Sequence, residues 1–466
     1  MTSRRDPESA AVAVLGAGAA GVRAARAAAA ARGPDGGRVV LVGDARPGGG
    51  ARLVADGGLL LECAARGMDW HATLAHLRTV RVTVEDASRE AALRADGVQL
   101  LAGRARLLGA GRVSIEAAGP AAAHVPSLLE ARRVVLATGD EDRLPEVSGL
   151  ADTRVLTAAT LLRLGDLPPS LVVVGGGPNG CELAQALARF GVQVTLVEAA
   201  DRLLPEEHPD ASGLVTAALR EDGVRVFTGS PVVRSAPTLD GGAWVGTASG
   251  VDVAADGLLL ATGRRAAVRG LDLPAAGVRV TAAGWVQVDE RLATTGAGVL
   301  AVGSVTGLLP HGTRDAVMAA VAGANAAARR PRDRWTPEGL PRVVRTDPAV
   351  AVVGVEPGDA AARPGTRVSD LPYRGLDRGL VADRPSGLIT LIAGPPRTGG
   401  WTGRSDTSSP LLGAGIVGPQ AGELAGIAAL ALRAGMTVED LARAPLSSRT
   451  WGLALQHAAA GFGTCA

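Results

Sequence analysis

Ala11-Val12-Ala13-Val14-Leu15-Gly16-Ala17-Gly18-Ala19-Ala20-Gly21 is the stretch on which the reading of this chain turns. Five apolar residues with no charge read as a short buried strand, the glycine cluster breaks it, and an alanine-rich helix follows to about Arg32. A second apolar strand over Arg38 to Val42 completes a strand-helix-strand unit whose crossover is right-handed. The same device returns far downstream. Leu171 to Val174 runs into Gly175-Gly176-Gly177-Pro178-Asn179-Gly180, a helix extends to about Phe190, and the strand Gln193 to Val197 ends in Glu198. Two dinucleotide-sized units in one chain point to two nucleotide sites.

The glycine spacing has a physical purpose. A dinucleotide sets a doubly charged pyrophosphate against a helix N-terminus, where unpaired N–H groups and the dipole stabilise it. Gly16 and Gly175 permit the sharp turn, Gly18 and Gly177 let the backbone approach the phosphates, and Gly21 and Gly180 let helix and strand pack closely. An acidic residue at the end of the next strand takes ribose hydroxyls. Glu198 is that residue in the second unit, and its charge repels a 2′-phosphate, so NADH is favoured over NADPH. In the first unit the place is held by Gly43, with Asp44 one step beyond on the other face of the strand.

Two more strands end on glycine turns where ligands of open α/β sheets gather: Arg133 to Leu136 before Ala137-Thr138-Gly139, and Gly257 to Leu260 before Ala261-Thr262-Gly263-Arg264. Asp166 to Pro169 and Arg330 to Pro341 read as breaks. After the second come strands near Val343 and Leu388, a Gly/Ser/Thr-rich exposed insertion at Thr398 to Pro410, and helices at Ala421 to Arg433 and Trp451 to Ala460.

Composition narrows the function. With 48 basic and 46 acidic residues the net charge is +2, too small a field to track nucleic acid. All the basic residues are arginine, which excludes Schiff-base lysines and the phosphate-loop lysine. Cys63, Cys181 and Cys465 lie too far apart in sequence for a disulfide framework or a local metal site, as expected of a chain in a reducing cytoplasm. Ser3-Arg4-Arg5-Asp6 resembles an export signal only superficially, since Asp6, Glu8, Arg23 and Arg26 interrupt it, and no window is apolar enough to span a membrane.

The ordered motifs VLGAGAAG (14–21), ATG (137–139), VVVGGGPNGCE (172–182), VEAADRLLP (197–205), ATGRR (261–265), LAVGSVTG (300–307) and MTVEDLA (436–442) together resemble the FAD-dependent pyridine nucleotide-disulfide oxidoreductases, the group of dihydrolipoamide dehydrogenase and mercuric reductase. The likeness spans nearly the whole chain. It implies an α/β fold with two Rossmann-like dinucleotide-binding domains and a C-terminal α+β interface domain that completes the active site across a homodimer. The expected parts are an FAD domain over residues 1–150, an NAD(P)H domain over 151–268, a return to the FAD domain over 269–335 and an interface domain over 336–466. In that family hydride passes from nicotinamide to flavin, and electrons leave through an adjacent disulfide.

Several positions depart from the pattern. The family segment GGTCxxxxCxPxK falls on Gly49 to Leu61, which puts Arg52 and Gly57 at the cysteines and Leu61 at the lysine. The family's HPT…E falls on Ser448 to Leu453, so its histidine is Ser448 and its carboxylate Leu453. The acid that holds the ribityl chain in TxxxxxYAxGD becomes Ser304 in Thr294 to Ser304. The resemblance assigns Gly16, Gly18, Gly21, Asp44, Gly49, Gly50, Ala137, Thr138, Gly139, Gly303 and Ser304 to FAD, and Gly175, Gly177, Gly180, Glu198 and Gly263 to NAD. Glu182, whose counterpart pairs with the missing lysine, becomes a candidate proton donor or a contact to the nicotinamide amide.

The expected activity is hydride transfer from NAD(P)H to FAD and then directly to a small acceptor such as a quinone or enone. The catalytic candidates are Arg52, Glu182 and the partner's Ser448, with Arg52 stabilising negative charge on the acceptor oxygen. The alternative is a non-redox catalyst of specialised metabolism, or a catalytically silent homologue, with flavin structural or absent. Cys63 reads as a buried helix thiol and His457 as a partly buried helix residue.

Overall fold

The computed structural model describes residues 8–32, 36–43, 57–86, 90–118, 125–308, 313–396 and 408–463. The chain divides into two compact units, one of residues 1–54, 74–143 and 263–336, the other of 55–73, 144–262 and 337–466.

In the first unit Glu8–Leu15 pairs in parallel with Val39–Gly43 on one side and Leu128–Leu136 on the other. Val98–Gly109 and Val299–Ala301 extend the parallel layer at its two edges. The long strands Val98–Gly109 and Leu128–Leu136 run on into an antiparallel meander with Arg112–Ala117. Val12 to Leu15 are 0% exposed, which is why this strand carries a continuous apolar run and not an alternating one. The helix Ala19–Ala31 buries a face of alanines against Thr313–Ala327. The approach is so close that a Cβ on Gly323 would lie 2.6 Å from that of Ala27.

The second unit repeats the plan. Its parallel sheet runs Arg225–Phe227, Gln193–Val197, Ser170–Val174, Gly257–Leu260 and Val155–Leu156, so the first strand of each Rossmann unit lies between its second and a late strand. A three-stranded antiparallel sheet, Val232–Pro237, Ala243–Thr247 and Asp252–Ala255, lies beside it in sequence. The C-terminal residues form a five-stranded antiparallel sheet in the order Arg342–Val344, Ala349–Gly354, Leu411–Gly418, Leu388–Ala393, Arg367–Pro372. The helices Ala421–Arg433 and Leu453–Ala460 cover it around a core of Tyr373, Ile389, Leu391, Ile416 and Leu424.

Most expected elements stand where the pattern put them. The first strand starts earlier, at Glu8, which pairs in register with Leu129 and whose carboxylate is ion-paired with Arg38. His457 is exposed and not partly buried, since it sits on the outer face of its helix while Leu455 and Ala458 turn inward. Most of the insertion expected at Thr398 to Pro410 lies outside the described residues; at its end Ser409 is 0% exposed and Pro410 bridges to Thr437, so that end belongs to the sheet. Among the described residues no helix is long and apolar enough to cross a membrane.

Candidate functional site

The two glycine loops have nearly the same geometry. Gly16 and Gly175 have φ of +113° and +109° and sit directly on the next strand end, where a Cβ would come within 2.6 Å of Ala137 C and 2.5 Å of Ala261 O. An L-residue fits neither the torsion nor the space. Gly21 and Gly180 pack on the carbonyls of Gly16 and Gly175, and a Cβ at either would overlap that oxygen. Gly18 and Gly177 are the N-caps of their helices, extended at φ −71° and −72°, with no side-chain cap bond and nothing within 4 Å of an added Cβ. Each loop therefore presents uncapped helix N–H groups to open space, the arrangement a pyrophosphate needs.

The loops differ at the neighbouring strand end. Glu198 accepts hydrogen bonds from Gly176 N and from Ala200 N, the latter at 2.6 Å, so its carboxylate braces the second loop from the side where a ribose would lie. In the first unit Gly43 takes the corresponding place, and a Cβ there would be 2.6 Å from both Ala17 Cβ and Ala17 N. The space of an acidic side chain is closed by the loop itself. The ordinary sequence signal, a missing acid, is thus accompanied by a packing change that composition does not reveal. Asp44, Gly49, Gly50 and Arg52 lie outside the described residues.

Around the first loop, Thr138 Oγ1 is buried without a hydrogen-bond partner among the described residues. Gly139 has φ of +78° and its carbonyl accepts from Ala267 N. Gly303, at φ +79°, opens a short helical turn in which Ser304 is buried, and Ala137 is buried at the strand end. Gly263, at φ +100°, accepts from Arg143 N. Beyond these turns Asp140–Asp142 pairs with Arg264–Ala266, and Arg264 joins both Asp140 and Asp142 while Arg265 meets Glu141. This zipper of opposite charges was not anticipated from sequence, because the two segments are far apart in the chain.

Glu182 is 4% exposed on the helix Pro178–Arg189 and accepts from the backbone N of Arg345 at 2.8 Å. Gln185 does the same one turn on, bonding both the N and O of Asp347. The helix Gly57–Ala65 packs against this one, and a Cβ on Gly57 would be 2.6 Å from Glu182 Cβ. A side chain at Gly57 is excluded with the two helices in contact. Leu61 is buried beside it on the same helix. Ser448 lies exposed on the turn before Leu453–Ala460.

Cys63 and Cys181 are free and buried. Burial pushes both thiols up from their ordinary value, and Cys181, fully buried at the glycine loop, donates to Gly176 O at 3.2 Å. Such thiols resist becoming thiolates.

The family description "Pyridine nucleotide-disulphide oxidoreductase" matches residues 10–327, and the dimerisation domain of the same family matches residues 340–458. The chain belongs to this family. It is 32% identical over 335 residues to a mercuric reductase of Bacillus cereus, covering 70% of this chain and 51% of that one, so it spans about half that relative's length. To the dihydrolipoyl dehydrogenase of Thermus scotoductus it is 33% identical over 357 residues, covering 75% of this chain and 72% of that one. Among solved structures it superposes on LpdA of Mycobacterium tuberculosis with a TM-score of 0.82 at 26% identity, covering 97% of this chain and 99% of that one. On the HOCl-induced flavoprotein disulfide reductase RclA of Escherichia coli the TM-score is 0.83 at 23% identity, with the same coverages, a likeness of fold. The expected two Rossmann-like domains and interface domain are those of this family, whose named members are oxidoreductases.

Proposed function

We propose that this protein is a flavin-dependent oxidoreductase that takes hydride from NADH and delivers electrons directly to a small acceptor such as a quinone or enone, without a redox disulfide. The observation that carries the reading is the pair of matched glycine loops combined with Gly57, whose contact with Glu182 leaves no room for a thiol where the family holds its second cysteine. The residues fit their nucleotides unequally. The first loop and Thr138 suit the pyrophosphate and flavin side of FAD, while Gly43 gives its adenosine ribose no carboxylate. At the second loop, Gly175, Gly177, Gly180 and Glu198 suit NADH, and the Glu198 carboxylate opposes a 2′-phosphate. When bound, the flavin supplies the hydride acceptor and the one- or two-electron donor. Arg52 is the group proposed to steady charge on the acceptor, Ser448 of the partner subunit lines the same place in a homodimer, and Glu182 serves as a helix brace and not as the proton donor.

The closed ribose position beside Gly43 favours a second reading, a non-redox catalyst in which flavin is weakly held. An absorption spectrum separates them. Protein incubated with FAD and then freed of unbound FAD should stay yellow, bleach under anaerobic NADH by the electrons of one hydride, and recover with a quinone. Uptake of a further electron pair would reveal a disulfide and refute the thiol-free path, and flavin that NADH leaves oxidised would establish the second reading.

A further inference from the structure

We propose, resting on the reading that the second loop takes NADH, that Glu207 and Arg342 are positioning residues for that loop. They act at a distance, through the stretch of chain between Glu198 and Glu207. A loop of three successive glycines has little conformational preference of its own, and a pyrophosphate needs its N–H groups in one fixed arrangement. Something outside the loop must hold it.

Gly176, the middle glycine, is held by the stretch that follows the strand Gln193–Val197. Its N donates to the Glu198 carboxylate, and its carbonyl accepts from Leu204 N at 2.9 Å as well as from Cys181 Sγ. A Cβ on Gly176 would lie 2.5 Å from Leu203 Cδ2. Leu204 makes its bond from a left-handed backbone at φ +47°, where residues other than glycine are uncommon. Such a conformation persists only where its surroundings enforce it. Here they do: Leu203 and Leu204 are buried, Ser212 Oγ donates to Leu203 O at 2.6 Å, and Glu207 N donates to Leu204 O at 2.9 Å.

Glu207 closes that turn and is itself anchored from far along the chain. Its buried carboxylate takes Arg342 Nε and Nη2 at 2.9 and 3.0 Å, a bidentate pair, and Arg342 Nη1 meets Glu356 at 2.8 Å, so the guanidinium is fixed from two sides. The residues after Arg342 reach the other support of the loop. Arg345 N donates to Glu182 and Asp347 N to Gln185, both at 2.8 Å, on the helix Pro178–Arg189 that the glycine loop opens. Residues 342–347 thus grip the loop's helix and its bracing stretch together. A loop that spends part of its time out of place lowers ligand affinity by that fraction.

Charge alone gives the opposite sign. Glu207→Gln removes a negative charge from the unit that receives a doubly charged pyrophosphate, which by long-range electrostatics tightens binding, whereas a slackened brace weakens it. Fluorescence titration of the full-length protein with NADH, and amide hydrogen exchange of the nucleotide-free protein, read the difference. In Glu207→Gln the NADH dissociation constant should rise roughly 3- to 30-fold. Exchange should quicken in residues 175–181 and 199–205 and not in the strand Gly257–Leu260. Glu206→Gln, the same loss of charge at an exposed neighbour, should leave both readouts at wild-type values. Ser212→Ala keeps every charge and unties Leu203 O, so it tests the brace even where Glu207→Gln folds poorly, and it should weaken NADH in the same direction. Wild-type protein that binds no NADH overturns the reading and the inference together. Wild-type or tighter NADH affinity in both Glu207→Gln and Ser212→Ala, with exchange at the loop unaltered, overturns the inference alone.

Discussion

Replacing Gly177 and Gly180 by alanine, one at a time, separates what the second loop does for the ligand from what it does for the fold. At Gly177 the backbone is ordinary for an L-residue and an added Cβ meets nothing within 4 Å, so the protein accommodates it. Alanine is a poorer N-cap than glycine, but it also restricts the unfolded chain, and the net change in stability should stay within about 1 kcal/mol. The same methyl stands where the pyrophosphate of the proposed NADH would meet the helix. Displacing one charge-assisted hydrogen bond costs about 1.5–3 kcal/mol, so NADH affinity should fall roughly 10- to 150-fold. At Gly180 the methyl would overlap Gly175 O, and helix and strand must part. Overpacking of this kind costs about 1–3 kcal/mol, which lowers Tm by roughly 3–10 °C for a domain of this size. Fluorescence titration with NADH and thermal melting of both variants read the two effects. Wild-type NADH affinity in Gly177→Ala would refute the assignment of this loop, and an unshifted Tm in Gly180→Ala would refute the packing argument.

Arg342→Ala should destabilise the second unit by about 3–5 kcal/mol in urea unfolding, because it strands Glu207, 4% exposed and held by Arg342 Nε and Nη2 at 2.9 and 3.0 Å, as an uncompensated buried charge. A loss below 1 kcal/mol would show that water already reaches Glu207. Native protein should leave Cys63 and Cys181 unmodified by iodoacetamide on the timescale in which urea-unfolded protein reacts fully, as mass spectrometry would show. Since burial raises the Cys181 thiol in the folded state, the folded form keeps a proton that the unfolded form gives up near its ordinary value of 9.0; stability is therefore unaffected below that pH and falls as pH rises through it, and Cys181→Ala should flatten this alkaline slope.

The parallel cores and glycine turns were legible because their causes are local. An uninterrupted run such as Leu171 to Val174 can only be buried on both faces, and a glycine at Gly175 marks a turn whichever partner lies beside it. What escaped was long-range. The missing acid at Gly43 could be read, yet its contact with Ala17 depends on how loop and strand settle together. Glu182 suggested chemistry on the strength of its position, whereas its partner, the backbone of Arg345, is 163 residues away.

The alanine-faced helices Ala19–Ala31 and Thr313–Ala327 touch almost backbone to backbone, with Gly323 lodged against Ala24 and Ala27. Their separation is fixed by absent atoms, which leaves no slack for one partner to drift while the other stands still. Such a seam constrains descent: a bulkier residue on one side can persist only after a shrinking change across the contact, so these distant segments are bound to vary in concert.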